Sequence, residues 1–119
     1  MRPRTHATLA VFALVAYVAL CVNAARGDTM RASYYGTESG THTANGERFR
    51  PVGLTAAHRT LPFGTRLRVT YGGNSVVVRI NDRGPAKWTK RDLDLSHGAA
   101  LVLGMLRVGV ANVQTEVVP

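Results

Sequence analysis

The stretch RLRVTYGGNSVVVRI, residues 66–80, indicates the fold class of this chain. Residues 66–71 alternate charged and apolar side chains, a pattern typical of a half-buried strand. Three consecutive valines favour a second strand over residues 75–80, because β-branched side chains pack well on a pleated surface. Residues 72–74 between them are Gly-Gly-Asn, which are turn residues, so the stretch predicts an antiparallel hairpin.

Shorter β-type segments surround this hairpin. Residues 30–36 are rich in tyrosine, residues 54–58 form a brief apolar segment, and residues 108–118 read as a last strand. Ser96 is a suitable N-cap for a short helix that ends at Gly104. Several short strands, a brief helix and no repeat of about twenty residues or more predict a mainly β fold, a small closed barrel.

The N-terminal segment has the pattern of a secretory signal. Arg2 and Arg4 precede the uncharged apolar run at 9–22, and small residues follow where a signal peptidase would cut. The run is shorter than the roughly 20 residues that span a bilayer core. We therefore predict a signal peptide over 1–24, one domain over 25–119, and export to the periplasm or cell envelope.

Cys21 is the only cysteine of the chain and lies inside this apolar run. It raises the alternative of a lipid anchor, but a lipoprotein signal needs a small residue before the cysteine, and Leu20 stands there. We expect contact with a membrane only if Cys21 is lipidated. A domain of this size is expected to be a single-core module and a monomer.

The balance of charge points to an anionic partner. The chain has 15 Lys and Arg against 7 Asp and Glu; without Arg2 and Arg4, thirteen against seven leaves a net charge of +6. The basic residues are spread along the chain, and no recognition helix or base-stacking motif accompanies them, so we expect no nucleic-acid partner. For an exported protein we therefore expect the anionic partner to be the cell wall.

Three residues suited to proton transfer stand beside turn signals: Glu47, His58 and Asp82. Asp82 follows a strongly apolar strand and precedes Arg-Gly-Pro, so it would stand at a strand end beside a rigid turn. Each also has a structural interpretation. Asp82 could accept main-chain N–H groups of the turn, His58 could be a hydrogen-bonded structural residue, and Glu47 could be a solvated loop charge.

Asp92 and Asp94 stand just before the predicted helix, where carboxylates interact favourably with the helix dipole. Stabilisation of the helix explains both residues, although Asp94 can also line a groove. The histidines are far apart and residues 25–119 contain no cysteine, so we predict no metal site. No Gly-x-Ser-x-Gly and no phosphate-binding glycine loop is present, and we predict no cofactor.

Six short blocks together resemble one family. They are ASYYG at 32–36, TANGE at 43–47, LTAAH at 54–58, LPFGT at 61–65, NDRGP at 81–85 and DLS at 94–96. In this order they resemble the RlpA-like septal lytic transglycosylases. The resemblance implies a six-stranded double-psi β-barrel with one or two short helices, related in fold to expansins and family 45 endoglucanases, whose groove holds a polysaccharide.

The resemblance also implies an activity and a site. The activity is endolytic cleavage of the MurNAc–GlcNAc strands of peptidoglycan, often strands stripped of stem peptides, to give 1,6-anhydro-MurNAc ends. Asp82 matches the catalytic acid, and Glu47 and His58 match positions important for activity. Five residues are expected to bind substrate: Tyr34, Tyr35, Asn45, Arg83 and Asp94. We expect the Arg83 side chain to point away from Asp82, because an ion pair between them would oppose proton donation.

Two features depart from the family pattern. Arg50 stands where many members have an aspartate, which puts full activity in doubt. Larger members carry a C-terminal repeat domain that binds denuded glycan and directs them to the septum, whereas this sequence ends at Pro119, so the resemblance does not imply septal targeting.

Two alternatives to the transglycosylase remain open. The first is an expansin-like module that binds or loosens the wall without cleaving it and grips glycan through aromatic residues: Tyr34, Tyr35, Phe49, Phe63 and Trp88. The second is a β-1,4-glucan hydrolase. The second alternative is weaker, because hydrolysis usually needs a second carboxylate at a defined spacing, and the sequence shows no clear one.

Overall fold

The computed structural model describes residues 27–36 and 40–119, in which six strands and an α-helix are found. The strands are β1 (Asp28–Tyr35), β2 (Thr55–His58), β3 (Arg66–Tyr71), β4 (Asn74–Asp82), β5 (Leu93–Ser96) and β6 (Ala111–Val118); the helix is α1 (His97–Leu103), and a 3-10 turn spans Lys87–Thr89. The predicted signal peptide and Cys21 lie outside the described residues. In the described part of the chain, none of the helical segments has the length and apolar character needed to cross a membrane.

The six strands close into a barrel in the order β1-β5-β2-β4-β3-β6, and β6 pairs back with β1. Strands β1 and β5 are parallel, as are β2 and β4, whereas the other neighbours are antiparallel. The predictions of a mainly β class and of a six-stranded closed barrel are confirmed.

The hairpin predicted at residues 66–80 is present. Strands β3 and β4 pair from Arg66 opposite Arg79 to Tyr71 opposite Asn74, so Gly72 and Gly73 alone make the turn. Gly72 has a φ of +58°, a conformation that glycine adopts without steric cost.

Alternation along the strands builds the core. In β4 the side chains of Val76, Val78 and Ile80 are buried inside the barrel, while Val77 and Arg79 between them are less buried and face outward. Leu67 and Val69 of β3 pack against them. This periodicity means that every second position of a strand is available to line an outer surface.

Helix α1 covers one side of the barrel core with Ala99, Ala100 and Leu103. Its limits agree with the prediction: the Ser96 hydroxyl accepts a hydrogen bond from the Ala99 N–H at 3.2 Å, and Gly104 ends the helix with a φ of +74°. The helix is therefore held by the cap that the sequence indicated.

Two segments differ from the predictions. Residues 93–96 form strand β5, which was not predicted, because four residues carry too little periodicity to be recognised. The last strand begins at Ala111, since residues 108–110 lie in a turn. Strand β5 matters for the site because it carries Asp94 and pairs with both β1 and β2.

The interpretation of Asp92 and Asp94 as helix-dipole partners is wrong. The first turn of α1 carries no acidic residue. The Asp92 carboxylate accepts a hydrogen bond from the main-chain N–H of Arg31 at 3.0 Å and pairs with Arg59 at 3.2 Å. Asp94 lies within a strand, so both carboxylates serve the sheet and not the helix.

Candidate active site

The outer face of four neighbouring strands brings two carboxylates together. Ala57 of β2 is opposite Asp82 of β4 on one side and Asp94 of β5 on the other, and Asp94 is opposite Ser33 of β1. We call this row of Asp82, Ala57, Asp94 and Ser33 the carboxylate face. Since neighbouring strands lie about 4.8 Å apart, the backbones of the two aspartates are about 10 Å apart.

A register shift places Asp82 on this face. Ala56 is opposite Ile80, but the next residue, Ala57, is opposite Asp82, so Asn81 is an extra residue in β4. Ile80 is buried in the barrel core, and strict alternation would turn Asp82 inward as well. The shift therefore moves the Asp82 carboxylate to the outer surface, in line with Ala57.

Within residues 27–36 and 40–119, main-chain groups and no cation hold the Asp82 carboxylate. Its Oδ1 atom accepts hydrogen bonds from the N–H of Ala44 at 2.9 Å and from the N–H of Arg83 at 2.8 Å. Among the described residues, no N–H group donates to Oδ2. Two neutral donors therefore fix the orientation of the carboxyl group.

The Arg83 guanidinium binds main-chain oxygens and not the Asp82 carboxylate, as expected. Its guanidinium donates to the carbonyl oxygens of Leu61 at 2.8 Å and His58 at 3.2 Å, and it lies 3.9 Å from the centre of the Phe63 ring. The described residues contain no ion pair between this guanidinium and the Asp82 carboxylate. Arg83 thus joins the turn after β2 to the end of β4.

Tyr35 lies against the carboxylate face. Its side chain is 5% exposed, and its ring stacks on Phe49 at a centroid distance of 4.9 Å, above Ala57. The hydroxyl makes no hydrogen bond of standard geometry within the described part of the chain, yet it is near both aspartates. Burial and the negative charges of Asp82 and Asp94 raise the pKa of Tyr35, so the hydroxyl stays a neutral donor.

Asp94 is connected to the adjacent strand by its side chain. The Ser33 hydroxyl donates to Asp94 Oδ1 at 2.9 Å, and the Arg91 guanidinium donates to the Ser33 oxygen. The arrangement forms a chain from a cation through a hydroxyl to a carboxylate. Ser33 and Arg91 were not predicted as site residues, because residues separated by 58 and 61 positions meet only through strand pairing.

Glu47 is bound tightly to Arg79. The guanidinium donates to both carboxylate oxygens, with Nη2 2.7 Å from Oε2, and Asn45 Nδ2 donates to Oε1 at 2.6 Å. These hydrogen bonds, from Arg79 first and then from Asn45, lower the pKa of Glu47 to about 2. Glu47 is therefore ionised over the neutral range, and its loop is attached to β4.

Arg79 is a further residue of the site. Its side chain is on the outer side of β4, between the buried Val78 and Ile80, a direction that we did not predict from the sequence. Its partner Glu47 is 32 residues away, and no local pattern identifies such a contact.

His58 acts as an acceptor within a turn. Its Nδ1 atom accepts hydrogen bonds from the main-chain N–H groups of Thr60 at 3.1 Å and Leu61 at 3.0 Å, so Nδ1 carries no proton. Burial, reinforced by the charges of Arg59 and Arg83, lowers the pKa of His58. A neutral His58 shapes the turn whose carbonyl groups hold Arg83.

Tyr34 occupies the opposite face of β1 from Tyr35. Its hydroxyl donates to the Leu106 carbonyl at 2.9 Å, its ring meets His97 edge-on, and it packs against the barrel core. The structure thus brings Tyr35, Asn45, Arg83 and Asp94 to the neighbourhood of Asp82, and separates Tyr34 from it. In residues 27–36 and 40–119, no cluster of three His, Cys, Asp or Glu side chains could hold a metal ion.

The strand order and the two parallel pairs define a double-psi β-barrel with a carboxylate-bearing outer face. The model of the lytic transglycolase family matches residues 28–115, and the chain belongs to this family. Relatives include the "Probable endolytic peptidoglycan transglycosylase RlpA" of Nostoc sp., 61% identical over 92 residues, and the "Endolytic peptidoglycan transglycosylase RlpA" of Pseudomonas aeruginosa, 50% identical over 88 residues.

These matches cover 72% and 71% of this chain but 24% and 26% of the two relatives, so the chain spans about a quarter of their length. Among solved structures, a papain inhibitor of Streptomyces has a TM-score of 0.62 at 24% identity, over 78% of this chain and 96% of that one. An expansin of Clavibacter michiganensis has a TM-score of 0.61 at 21% identity, over 77% and 51%. At these identities the structural neighbours support the fold alone.

Proposed function

We propose that this chain is a lytic transglycosylase that is exported to the cell envelope and cleaves peptidoglycan endolytically. The strands cut would be MurNAc–GlcNAc polymers, and the new ends 1,6-anhydro-MurNAc. Membership of the lytic transglycolase family supports the reaction class. The single observation that carries the proposal is the outward position of the Asp82 carboxyl, which two main-chain N–H groups orient and which pairs with no cation among the described residues.

One carboxyl group is sufficient for this reaction. Asp82 protonates the glycosidic oxygen as the bond to the anomeric carbon breaks, and the carboxylate formed then takes the proton of the C6 hydroxyl of the same muramic residue. That oxygen attacks the anomeric carbon and closes the anhydro ring. No water is consumed, so the second carboxylate that activates water in an inverting hydrolase is not required.

Tyr35 and Asp94 are proposed to support Asp82. The Tyr35 hydroxyl is a neutral donor beside both carboxylates, and it can donate to Asp82 once that group has given up its proton. Asp94, oriented by Ser33, is suited to accept hydrogen bonds from sugar hydroxyls. Both groups would bind or orient the reacting residues without exchanging protons with them.

Glu47 and His58 are proposed as positioning residues. The Arg79–Glu47 pair attaches the loop whose Ala44 N–H binds Asp82, and Asn45 joins that loop to β4 through its N–H to the Asn81 carbonyl. His58 shapes the turn that receives Arg83. Both roles agree with a low pKa for Glu47 and an unprotonated Nδ1 in His58.

A non-catalytic wall-binding module is the second proposal. It is favoured by Arg50, where the family resemblance led us to expect an aspartate, and by the ion pair of Glu47 with Arg79. Two aromatic side chains would be available to stack on sugars, since Trp88 is 84% and Phe63 42% exposed. This alternative predicts binding to the wall without release of products.

The experiment is mass spectrometry of the soluble products released from peptidoglycan sacculi that lack stem peptides. We expect anhydro-muropeptides from the wild type and a loss of at least about 100-fold for Asp82→Asn. Asp28→Asn is the matched control, because it removes an exposed carboxylate at the start of β1. If the wild-type protein binds sacculi but releases no products, the wall-binding module replaces the transglycosylase as the proposed function.

A further inference from the structure

A basic pocket begins at the residue that precedes Asp82. Its volume is about 260 Å³, and its lining includes Glu47, Arg48, Arg50, Thr55, Arg79 and Asn81. Asn81 is the extra residue of the register shift, so the pocket and the carboxylate face share one strand end. A polymer lying across Asp82 would pass next to this pocket.

The pocket has uncompensated positive charge. Among the described residues of its lining, the one carboxylate is that of Glu47, and both terminal nitrogens of Arg79 donate to it. The guanidinium groups of Arg48 and Arg50 make no hydrogen bond or ion pair within the described part of the chain. Two cations therefore remain available to an anionic ligand.

The backbone explains why both arginines face the same way. Phe49 between them is 7% exposed, stacks on Tyr35, and its N–H donates to the Thr41 carbonyl at 2.8 Å. In an extended segment the neighbours on each side point away from such an anchored side chain. The stacking that fixes Tyr35 thus also fixes the direction of Arg48 and Arg50.

Two buried polar atoms of the lining have no partner among the described residues: Asn81 Oδ1 and Thr55 Oγ1. Asn81 is only 2% exposed. A buried acceptor without a donor is costly, so its missing hydrogen bond is expected to come from a bound water, an ion or a ligand. The pocket thus offers cations for an anion and acceptors for a hydroxyl or amide N–H.

We propose that this pocket is a subsite for a carboxylate carried by a sugar of the glycan, the lactyl carboxylate of a muramic residue without a stem peptide. The inference rests on the proposed function, because it takes peptidoglycan as the ligand. Arg48 and Arg50 bind the carboxylate, and Asn81 and Thr55 accept hydrogen bonds from hydroxyl or amide groups of the same sugar. Arg50 supplies a cation at the position where the sequence departs from the expected family pattern.

The test measures binding by calorimetry with the Asp82→Asn protein, which prevents turnover. One ligand is a peptide-free GlcNAc–MurNAc oligosaccharide with free lactyl carboxylates, and the other is the same oligosaccharide with lactyl methylamides. We expect the carboxylate ligand to bind about tenfold more tightly. Arg48→Gln/Arg50→Gln should reduce this ratio to below about twofold.

Arg31→Gln/Arg107→Gln is the matched control, since it removes two exposed arginines that line other parts of the surface. It should keep the tenfold ratio. A ratio that survives in the Arg48/Arg50 variant, or that falls equally in the control, would overturn the subsite. If strands that carry stem peptides bind more tightly than the peptide-free strands, the lactyl group is not the source of the carboxylate.

Failure of this inference differs from failure of the proposed function. If the wild-type protein releases anhydro products but shows no preference for the carboxylate ligand, the proposed function stands and the subsite is rejected. If binding depends on the carboxylate but no products are released, the subsite stands and the proposed enzymatic activity is rejected.

Discussion

Ala57 is opposite Asp82 across strands β2 and β4, although the preceding residues Ala56 and Ile80 are also opposite one another. One residue of β2 is thus matched by two of β4. Ala56 and Ile80 face the barrel core, and Ala57 and Asp82 share the outer surface. The position of the proposed catalytic acid is therefore a consequence of strand register.

Tyr35→Phe should separate activity from stability. It removes a buried hydroxyl that makes no hydrogen bond of standard geometry to the described residues, so we expect the free energy of unfolding to be unchanged or raised by up to about 1 kcal/mol. If Tyr35 supports Asp82, product release should fall about tenfold or more. Denaturant unfolding and product release measure the two effects.

Tyr34→Phe is the matched control for Tyr35→Phe. It removes the hydrogen bond to the Leu106 carbonyl on the other face of β1, so we expect a loss of about 1 kcal/mol in stability and little change in activity. Equal losses of activity in the two variants would contradict a special role for Tyr35.

Glu47→Gln should be less stable than the wild type at neutral pH, and the difference should disappear in acid. The folded-state pKa of Glu47, about 2, is below its ordinary value of 4.5, so its contribution is complete above pH 4.5 and is lost as the pH falls toward 2. Denaturant midpoints measured from pH 7 to pH 2 test this window.

The control for Glu47→Gln is Glu116→Gln, which removes the partner of Arg68 on the far side of the barrel. A Glu47→Gln deficit that stays constant down to pH 2 would show that the ion pair with Arg79 is not its cause.

His58→Asn should preserve the turn that His58→Ala disrupts. An asparagine carbonyl can replace Nδ1 as acceptor for the N–H groups of Thr60 and Leu61, whereas alanine leaves both unpaired. We expect His58→Ala to lose about 1–3 kcal/mol and most of its activity, and His58→Asn to retain activity within about tenfold. Equal inactivation of two stably folded variants would indicate direct proton transfer by His58.

The pH dependence of stability offers a second test of His58. Its folded-state pKa lies below the ordinary value of 6.5, so the unfolded chain takes up the proton first. The contribution of His58 is complete above pH 6.5 and decreases as the pH falls toward the folded-state pKa. We expect the stability difference between wild type and His58→Asn to narrow over that range.

Gly98→Ala should destabilise the fold by about 2 kcal/mol, because an added Cβ would lie 2.6 Å from the main-chain oxygen of Val52, which cannot move freely. Gly73→Ala is the control, since its Cβ would meet no atom within 4 Å. Thermal and denaturant unfolding measure both variants. A stability of Gly98→Ala equal to that of Gly73→Ala would mean that the segment after Arg50 adjusts easily.

The sequence by itself determined the local elements. Alternation and a Gly-Gly turn were sufficient for the β3–β4 hairpin, and Ser96 with Gly104 for the limits of α1, because these signals depend on neighbouring residues. The six sequence blocks were sufficient for the family and for the barrel it implies. Glu47, His58 and Asp82 were chosen as residues beside turns, and their roles in the site stay predictions; the long-range partners of Glu47 and Asp82 were not predicted.

Tertiary structure alone decided those partners. The pairing of Glu47 with Arg79, the contact of Asp94 with Ser33, the strand at residues 93–96 and the outward position of Asp82 all depend on register between segments distant in sequence. Register is set when the apolar faces of all six strands are buried together. No single segment carries that information, because it belongs to the packing of the closed barrel.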